Sequence, residues 1–349
     1  MDLSIIVPCF NEEGSLPQFL DAVVSTFEKT SISYELILVN DGSRDATESI
    51  LSSFAHSRRT SHVTVIGFSR NFGKEAALFA GLQHSRGEIT GFIDADLQQT
   101  PETLLDMYRI LISNPDYDCV TAYQQKRREA ALQSFFKEGF YRMFNAVSST
   151  NLAPDASDFR IFRRNVADAV LGMPEYYRFS KGIFAWVGFR TYLYPYTPEE
   201  RVGGQSKWSF KKLMHYALNG MMSFSTLPLK LATWVGTIAS VAAVIYTIDV
   251  IIETYVLKNT PAGYPTIVCL ILLLGGLTLL TLGIIGEYLA RIYVEGKHRP
   301  IYIAKDVLTM DDGKITLHDH HVGSPLPYRP TQSNVNTSEQ TKKKTPTDS

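Results

Sequence analysis

Two stretches without a single charge dominate this 349-residue chain: residues 231–248, 18 positions, and residues 259–286, 28 positions. At about 1.5 Å per residue, roughly 18 to 20 helical residues cross a hydrocarbon core of about 30 Å. The runs therefore read as two transmembrane helices, near 229–252 and 264–288. A pair of buried core helices is the competing reading, and the second run is too long and too evenly apolar for it. Lys230 and Asp249 bound the first run, where they snorkel or face protein. The segment after the second run holds Arg291, Lys297, His298 and Arg299, whereas the loop between the runs has Lys258 as its one basic residue. A basic excess marks the cytoplasmic side, so both termini are expected there, with a short hairpin loop outside. Met1-Asp2 offers no basic leader and the apolar run 3–7 is only of strand length, so no signal peptide is expected.

Composition narrows the function classes. The formal net charge is -1, without the basic excess that general nucleic-acid binding requires. Hydrophobic residues are 45% of the chain, ample for a core. Cys9, Cys119 and Cys269 lie far apart, so a disulfide framework or zinc site is not expected and a reducing compartment fits.

The N-terminal region alternates short apolar runs with helical patterns. Residues 3–7, 35–39, 63–68, 89–93 and 118–122 read as strands, and 15–29, 45–55, 74–84 and 101–113 as the helices between them. Such alternation predicts an α/β fold with a mostly parallel sheet, whose ligands sit beyond the C-terminal strand ends. Residues 123–225 are less regular. They hold a basic stretch (Lys126, Arg127, Arg128), aromatics at Phe135, Phe136, Phe140 and Phe144, and an amphipathic stretch, 210–226, with Lys211, Lys212 and Met221-Met222. The aromatics suit a lipid groove and core packing equally. Beyond about residue 305 the chain turns polar and is expected to be mostly disordered; His318, His320 and His321 suit a metal, and a solvated tail is the preferred reading. Three regions follow: 1–225, a cytoplasmic domain with an interface helix; 226–290, the two apolar helices; and 291–349, a juxtamembrane segment and tail.

The sharpest chemical signal is Asp94-Ala95-Asp96, directly after an apolar run. In extended chain, residues i and i+2 face the same way, so two carboxylates converge at a strand end. That suits a hard divalent cation, for which Gln98 offers another oxygen. Two further loops belong to the same edge: Pro8-Cys9-Phe10-Asn11-Glu12-Glu13 and Asn40-Asp41-Gly42-Ser43-Arg44-Asp45. Asp41 suits hydrogen bonds from a base or ribose; the plainer reading is a turn whose Ser43 or Asp45 caps the next helix. With no GxGxxG and no GxxxxGK[ST], dinucleotide and P-loop enzymes are disfavoured, and a metal-bound nucleotide diphosphate fits better.

On these motifs the chain resembles the family-2 inverting glycosyltransferases of GT-A fold, specifically the polyisoprenyl-phosphate glycosyltransferases, which include the bactoprenol glucosyltransferases and dolichol-phosphate mannose synthase. The resemblance spans about residues 2–303 and rests on SIIVPCFNEE, LVNDGSRD, SRNFGKEAAL, DADLQQTPE, SDFRIF, RFSKGIFAWVGF and RVGGQSKWSFKKL, in that order. It implies that Pro8, Phe10, Glu12, Val39, Asp41 and Asp94, with Arg127, hold the nucleotide. Asp94, Asp96 and Gln98 would hold Mg²⁺ or Mn²⁺. Arg201 and Lys207 would meet the acceptor phosphate or the donor diphosphate, and their plainer reading is a solvated charged face near anionic lipid. Asp158 would lie close to the reaction centre, more as an orienting residue than as a base. Arg70, Asn71 and Lys74 would shape the same cleft. The implied partners are UDP-glucose or UDP-N-acetylglucosamine, a polyisoprenyl phosphate, the cell membrane, and further copies of the chain, with a tetramer as one arrangement. Glucose is preferred over N-acetylglucosamine, and mannose less so; the destination polymer stays open.

Two departures stand out. Gln124 occupies a position where relatives often carry Arg, so Arg127 or Arg128 is expected to supply that charge. The family usually ends soon after a segment like RPIYIAKD, so residues 306–349 have no assigned family role. A processive polysaccharide synthase is disfavoured because the chain lacks QxxRW and further apolar helices. A non-catalytic membrane adaptor would have no need of Asp94 and Asp96.

Overall fold

The computed structural model describes residues 1–57, 60–124, 156–197, 199, 227–255 and 263–322. Within them the predicted alternation is present. Strands β1 (Leu3–Cys9), β2 (Tyr34–Asn40), β3 (His62–Phe68), β4 (Ile89–Phe92) and β5 (Cys119–Gln124) are separated by α1 (Leu16–Phe27), α2 (Thr47–His56), α3 (Lys74–His84) and α4 (Pro101–Ser113). There follow β6 (Ala156–Arg163), α5 (Arg164–Leu171), α6 (Ser180–Trp186), β7 (Thr191–Tyr196), two long helices α7 (Leu227–Tyr255) and α8 (Tyr264–Glu295), then β8 (Ile303–Asp311) and β9 (Lys314–Val322). Local chemistry sets the boundaries. The Thr100 side chain accepts the Thr103 N–H and Pro101 opens α4, a pairing of N-cap and N1 proline that starts a helix without wasting a donor.

The strands form one nine-stranded sheet in the order β7-β5-β6-β4-β1-β2-β3-β8-β9. Its centre, β4-β1-β2-β3, is parallel. Antiparallel β6 is inserted between β4 and β5, and the β8–β9 hairpin extends the other edge antiparallel to β3. Successive side chains of a strand point to opposite faces. Accordingly Leu3, Ile5 and Val7 pack with Phe19, Val23 and Leu104 on one face, while Ile6, Ile37 and Val39 pack with Ala77 and Phe79 on the other. Covered on both sides, the central strands are near-continuously apolar, as a parallel sheet requires.

The hairpin corrects the expectation of disorder beyond about residue 305. Ala304, Val307 and Met310 of β8 are buried in the core. Asp312 and Gly313 both take positive φ, +46° and +80°, the conformation of a tight two-residue hairpin turn. His318, His320 and His321 therefore lie on a strand, β9. Residues 323–349 lie outside the described ones.

Both predicted apolar helices are present as helices and pack on one another. Of the two, Leu273–Glu295 is long and apolar enough to cross a membrane, and none of it is buried. In α7 the corresponding apolar stretch is shorter, Leu231–Tyr246. Trp234, Ile238, Val244, Ile271, Leu279 and Leu280 are each more than half exposed, a surface that water disfavours at about 25 cal/mol per Å². The far end of α8 returns to the sheet domain. The Tyr176 N–H donates to Glu295 Oε2 at 3.2 Å, and the Arg291 guanidinium lies 5.0 Å over the Tyr177 ring.

Candidate functional site

The loops after β1, β2, β3 and β4 meet along the C-terminal edge of the parallel strands, where the sequence placed its acidic motifs. Pro8 and Phe10 are partly exposed there, and Cys9 between them is buried. Asn11 adopts φ +53°, which turns the chain out of the strand. Its side-chain oxygen accepts the Arg44 N–H at 2.9 Å, and its own N–H donates to Ser43 Oγ at 3.0 Å. The Glu12 N–H donates to Thr47 Oγ1 at 2.9 Å, and Glu12 Oε2 accepts the Ser15 hydroxyl at 3.0 Å. The first two loops are thus stitched together. Val39 is fully buried in β2 and offers this edge only its backbone.

Asp41 is 3% exposed, and its carboxylate serves the next loop. Oδ1 accepts the Phe72 N–H at 2.6 Å and the Gly73 N–H at 3.2 Å; Oδ2 accepts Asn71 Nδ2 at 2.9 Å and the Gly73 N–H at 3.0 Å. A carboxylate has about four acceptor positions, so these bonds use its capacity. Burial pushes the Asp41 carboxyl up to about 6, against the pull of the Phe72 and Gly73 N–H groups. Gly42, at φ +64°, lets the chain pass against the Arg70–Asn71 backbone.

Sheet register explains how Asp158 reaches Asp94. Phe92 of β4 lies opposite Arg160 of antiparallel β6. Two residues beyond Phe92, just past the end of β4, is Asp94, and two residues back on β6 is Asp158, so both acids fall beside one another on one face. Lys74, the first residue of α3, stands between them. Its ammonium lies 2.6 Å from Asp94 Oδ1 and 2.8 Å from Oδ2, and 3.8 Å from Asp158 Oδ2. Partial desolvation works against the charge of Lys74, yet the carboxylates of Asp94 and Asp158 raise its pKa well above the usual lysine value. Burial likewise works against an ionised Asp158, yet the cations of Lys181, Lys74 and Arg160 hold it below the usual carboxylate range. Asp158 Oδ1 is buried and has no hydrogen-bond partner among the described residues.

The Asp94–Gln98 loop is built to present oxygens. The Asp94 N–H donates to Gln99 Oε1 at 3.1 Å, Leu97 adopts φ +60°, and the Gln98 N–H donates to Asp96 Oδ1 at 3.1 Å. Asp94, Asp96 and Gln98 share one tight turn and supply only oxygen ligands at their tips, the donor set a hard divalent cation takes. Of the remaining predicted residues, Arg127, Arg201 and Lys207 lie outside the described ones, as do the aromatics from Phe135 to Phe144 and the stretch 210–226.

Two groups escaped the sequence reading. Glu75, beside Lys74, accepts the Ser180 N–H at 3.1 Å and the Ser180 hydroxyl, which clamps the start of α6 to α3. Lys181 follows, and its charge helps hold Asp158 below the usual carboxylate range. Both α6 residues lie in RFSKGIFAWVGF. Nothing in that string's composition says that a serine would meet a glutamate 105 positions earlier.

Comparison with known proteins settles the family. The model of glycosyl transferase family 2 matches residues 4–171. The chain is 39% identical over 311 residues to an uncharacterized glycosyltransferase of Synechocystis sp., covering 88% of this chain and 96% of that one. This chain belongs to glycosyl transferase family 2. Another similar member is the bactoprenol glucosyl transferase of Shigella phage SfV, 39% identical over 306 residues, 88% of this chain and 99% of that one. A third is the prophage bactoprenol glucosyl transferase homolog of Escherichia coli, 38% identical over 307 residues, with the same coverage. Among solved structures, mannosyl-3-phosphoglycerate synthase from Rubrobacter xylanophilus aligns with a TM-score of 0.46 at 14% identity, over 63% of this chain and 71% of that one. The segment matched by the family model holds the parallel centre of the sheet and the acidic loops along its edge. The matched relatives extend well past residue 171, through the apolar helices.

Proposed function

We propose that the chain transfers a sugar, glucose by preference, from a UDP-sugar to a polyisoprenyl phosphate at the cytoplasmic face of the cell membrane, with inversion at the anomeric carbon. One observation carries this reading. The similarity to bactoprenol glucosyl transferases runs along 99% of their length, apolar helices included, while Asp94 and Asp158 flank the Lys74 ammonium at one sheet edge. A polyprenyl chain stays in the bilayer, so its phosphate must be met at headgroup level. Helix α8 crosses the membrane in this reading, α7 makes the second crossing, and both termini stay in the cytoplasm.

The residues divide the work. Pro8, Phe10 and Glu12 form the nucleotide side of the cleft, with the backbone of Val39 behind them and Arg127 adding charge. Asp41 serves the nucleotide by fixing loop 71–73, because its own oxygens are engaged there. Asp94, Asp96 and Gln98 would hold Mg²⁺ or Mn²⁺, whose chemistry is to neutralise the departing diphosphate. Arg201 offers a bidentate contact and Lys207 a point charge for phosphate. The acceptor phosphate is an anion at neutral pH and needs little help from a base. Its oxygen forms the new bond to the anomeric carbon, in line with the breaking bond to the diphosphate. Asp158, held ionised among three cations, orients rather than abstracts a proton. Self-association, as a tetramer in one arrangement, belongs to the same reading.

The test is a membrane-fraction assay with undecaprenyl phosphate and radiolabelled UDP-glucose, UDP-N-acetylglucosamine or GDP-mannose. The expected product is a labelled, mild-acid-labile lipid from UDP-glucose, abolished by EDTA and by Asp96→Ala. No labelled lipid from any donor, with the protein folded and membrane-bound, would overturn the reading.

A further inference from the structure

Lys74 is held from both sides. The Gly73 N–H before it donates to Asp41 at 3.0 Å, and Glu75 after it accepts the Ser180 N–H at 3.1 Å. The lysine stem therefore leaves the first turn of α3 from a backbone fixed to two other elements, the β2 loop and α6. Its ammonium straddles both oxygens of Asp94, at 2.6 and 2.8 Å, with Asp158 Oδ2 3.8 Å away as a second seat. The Lys74 side chain is 41% exposed, so the pair faces the cleft rather than the core. A half-exposed ion pair contributes little to folding. An ordinary surface salt bridge would not call for anchors on both flanking residues.

We infer that Lys74 is an internal counter-cation of the metal site, which competes with the divalent ion for Asp94 and moves onto Asp158 when the ion binds. The inference rests on the reading that Asp94 is a metal ligand. Both cations need the same pair of oxygens, and two positive groups within a few ångströms repel. The lysine keeps Asp94 compensated without metal, and so weakens metal affinity. Its second seat makes loading of the metal and docking of a cation on Asp158 one linked event. A nucleotide diphosphate, which brings its own negative charge, offsets the repulsion; metal and donor are thereby favoured together over metal alone.

The experiment is Mn²⁺ binding to the full-length detergent-solubilised protein without nucleotide, read from the signal of free Mn²⁺ by electron paramagnetic resonance. Lys74→Met, which keeps the stem and removes the charge, is expected to bind Mn²⁺ on the order of tenfold more tightly than wild type, while Lys74→Arg stays within about twofold. An affinity in Lys74→Met equal to or weaker than wild type overturns the inference. A second measurement needs no variant. Labelling of wild-type Lys74 by an amine-reactive ester, quantified by mass spectrometry against Lys29, is expected to change severalfold on saturation with Mg²⁺, and an unchanged ratio also overturns it. Asp94→Asn separates the two levels. Mn²⁺ binding that survives Asp94→Asn overturns the metal assignment and the counter-cation with it. Binding that needs Asp94 but ignores Lys74 overturns the counter-cation alone.

Discussion

The Asp41 carboxylate takes the Gly73 N–H on both of its oxygens, at 3.2 and 3.0 Å, and so an acid of the second loop holds the backbone of the third. The bond lies immediately before Lys74, the residue that reaches Asp94. Anything that disturbs Asp41 is thus transmitted to the acidic centre through one peptide.

Its pH dependence has a definite sign. Burial raises Asp41 to about 6 in the folded chain, above the value near 3.8 it has when unfolded. The folded state then holds a proton that the unfolded state has released. The associated stability is fully present below pH about 4 and is lost as pH rises through about 6; two pKa units correspond to roughly 3 kcal/mol. Thermal unfolding between pH 4 and 7 is expected to show a downward slope in wild type that is absent in Asp41→Asn. Equal slopes in the two proteins would remove Asp41 from this role.

Gly42 allows the loops to touch. At φ +64°, a Cβ there would lie 2.5 Å from the Arg70 carbonyl carbon and 2.7 Å from the Asn71 nitrogen, both backbone atoms. Gly42→Ala is expected to cost about 3 kcal/mol from strain and overlap. Gly14, with nothing within 4 Å of an added Cβ, is the control; Gly14→Ala should stay within about 0.5 kcal/mol. A chemical denaturation series on the two variants measures the difference, and similar midpoints would count against the contact.

Arg86 secures the hairpin edge. Its Nε donates to buried Glu35 and its Nη1 to Asp311 on β8, both at 3.0 Å. Arg86→Met leaves the Glu35 charge buried with only the Ser4 hydroxyl and the Arg86 N–H to meet it. The expected loss is about 3 kcal/mol, much of it recovered in the double variant with Glu35→Gln. A double-mutant cycle on unfolding midpoints decides it; additive losses would refute the pairing.

Asp158 gives a kinetic prediction. The positive charges around it keep it ionised throughout the neutral range. Asp158→Asn is expected to lower kcat by roughly a hundredfold, with the shape of its pH profile between 6 and 9 unchanged. A limb of the profile that vanishes in Asp158→Asn would show that the residue works as a base.

The central sheet was legible because its strands are covered on both faces, and unbroken runs such as Ile5-Ile6-Val7 and Leu36-Ile37-Leu38 announce that burial. The acidic loops followed from a rule about strand ends, and Asp94 lies where that rule puts it. The hairpin was missed because overall polarity outweighed its one local signal, Asp312-Gly313, and because Ala304, Val307 and Met310 are spaced too sparsely to read as a run. The Lys74 bridge was not readable either. It depends on β6 entering antiparallel between β4 and β5, a choice of topology that puts Asp158 beside Asp94 although 64 positions separate them. The apolar runs were legible as two helices, and α8, Tyr264–Glu295, contains the whole of the expected 264–288.

The β8–β9 hairpin also sets a timetable. Asp311, which meets His62 across the β3–β8 pairing, is 249 residues further along the chain. During synthesis β3 leaves the ribosome as an open edge, with its backbone donors and acceptors unpaired. Its partner emerges only after α7 and α8 have been made. Completion of the sheet therefore waits on the apolar helices, and a chain whose helices have been misplaced keeps an unfinished, adhesive strand in view of the cell's proteases and chaperones.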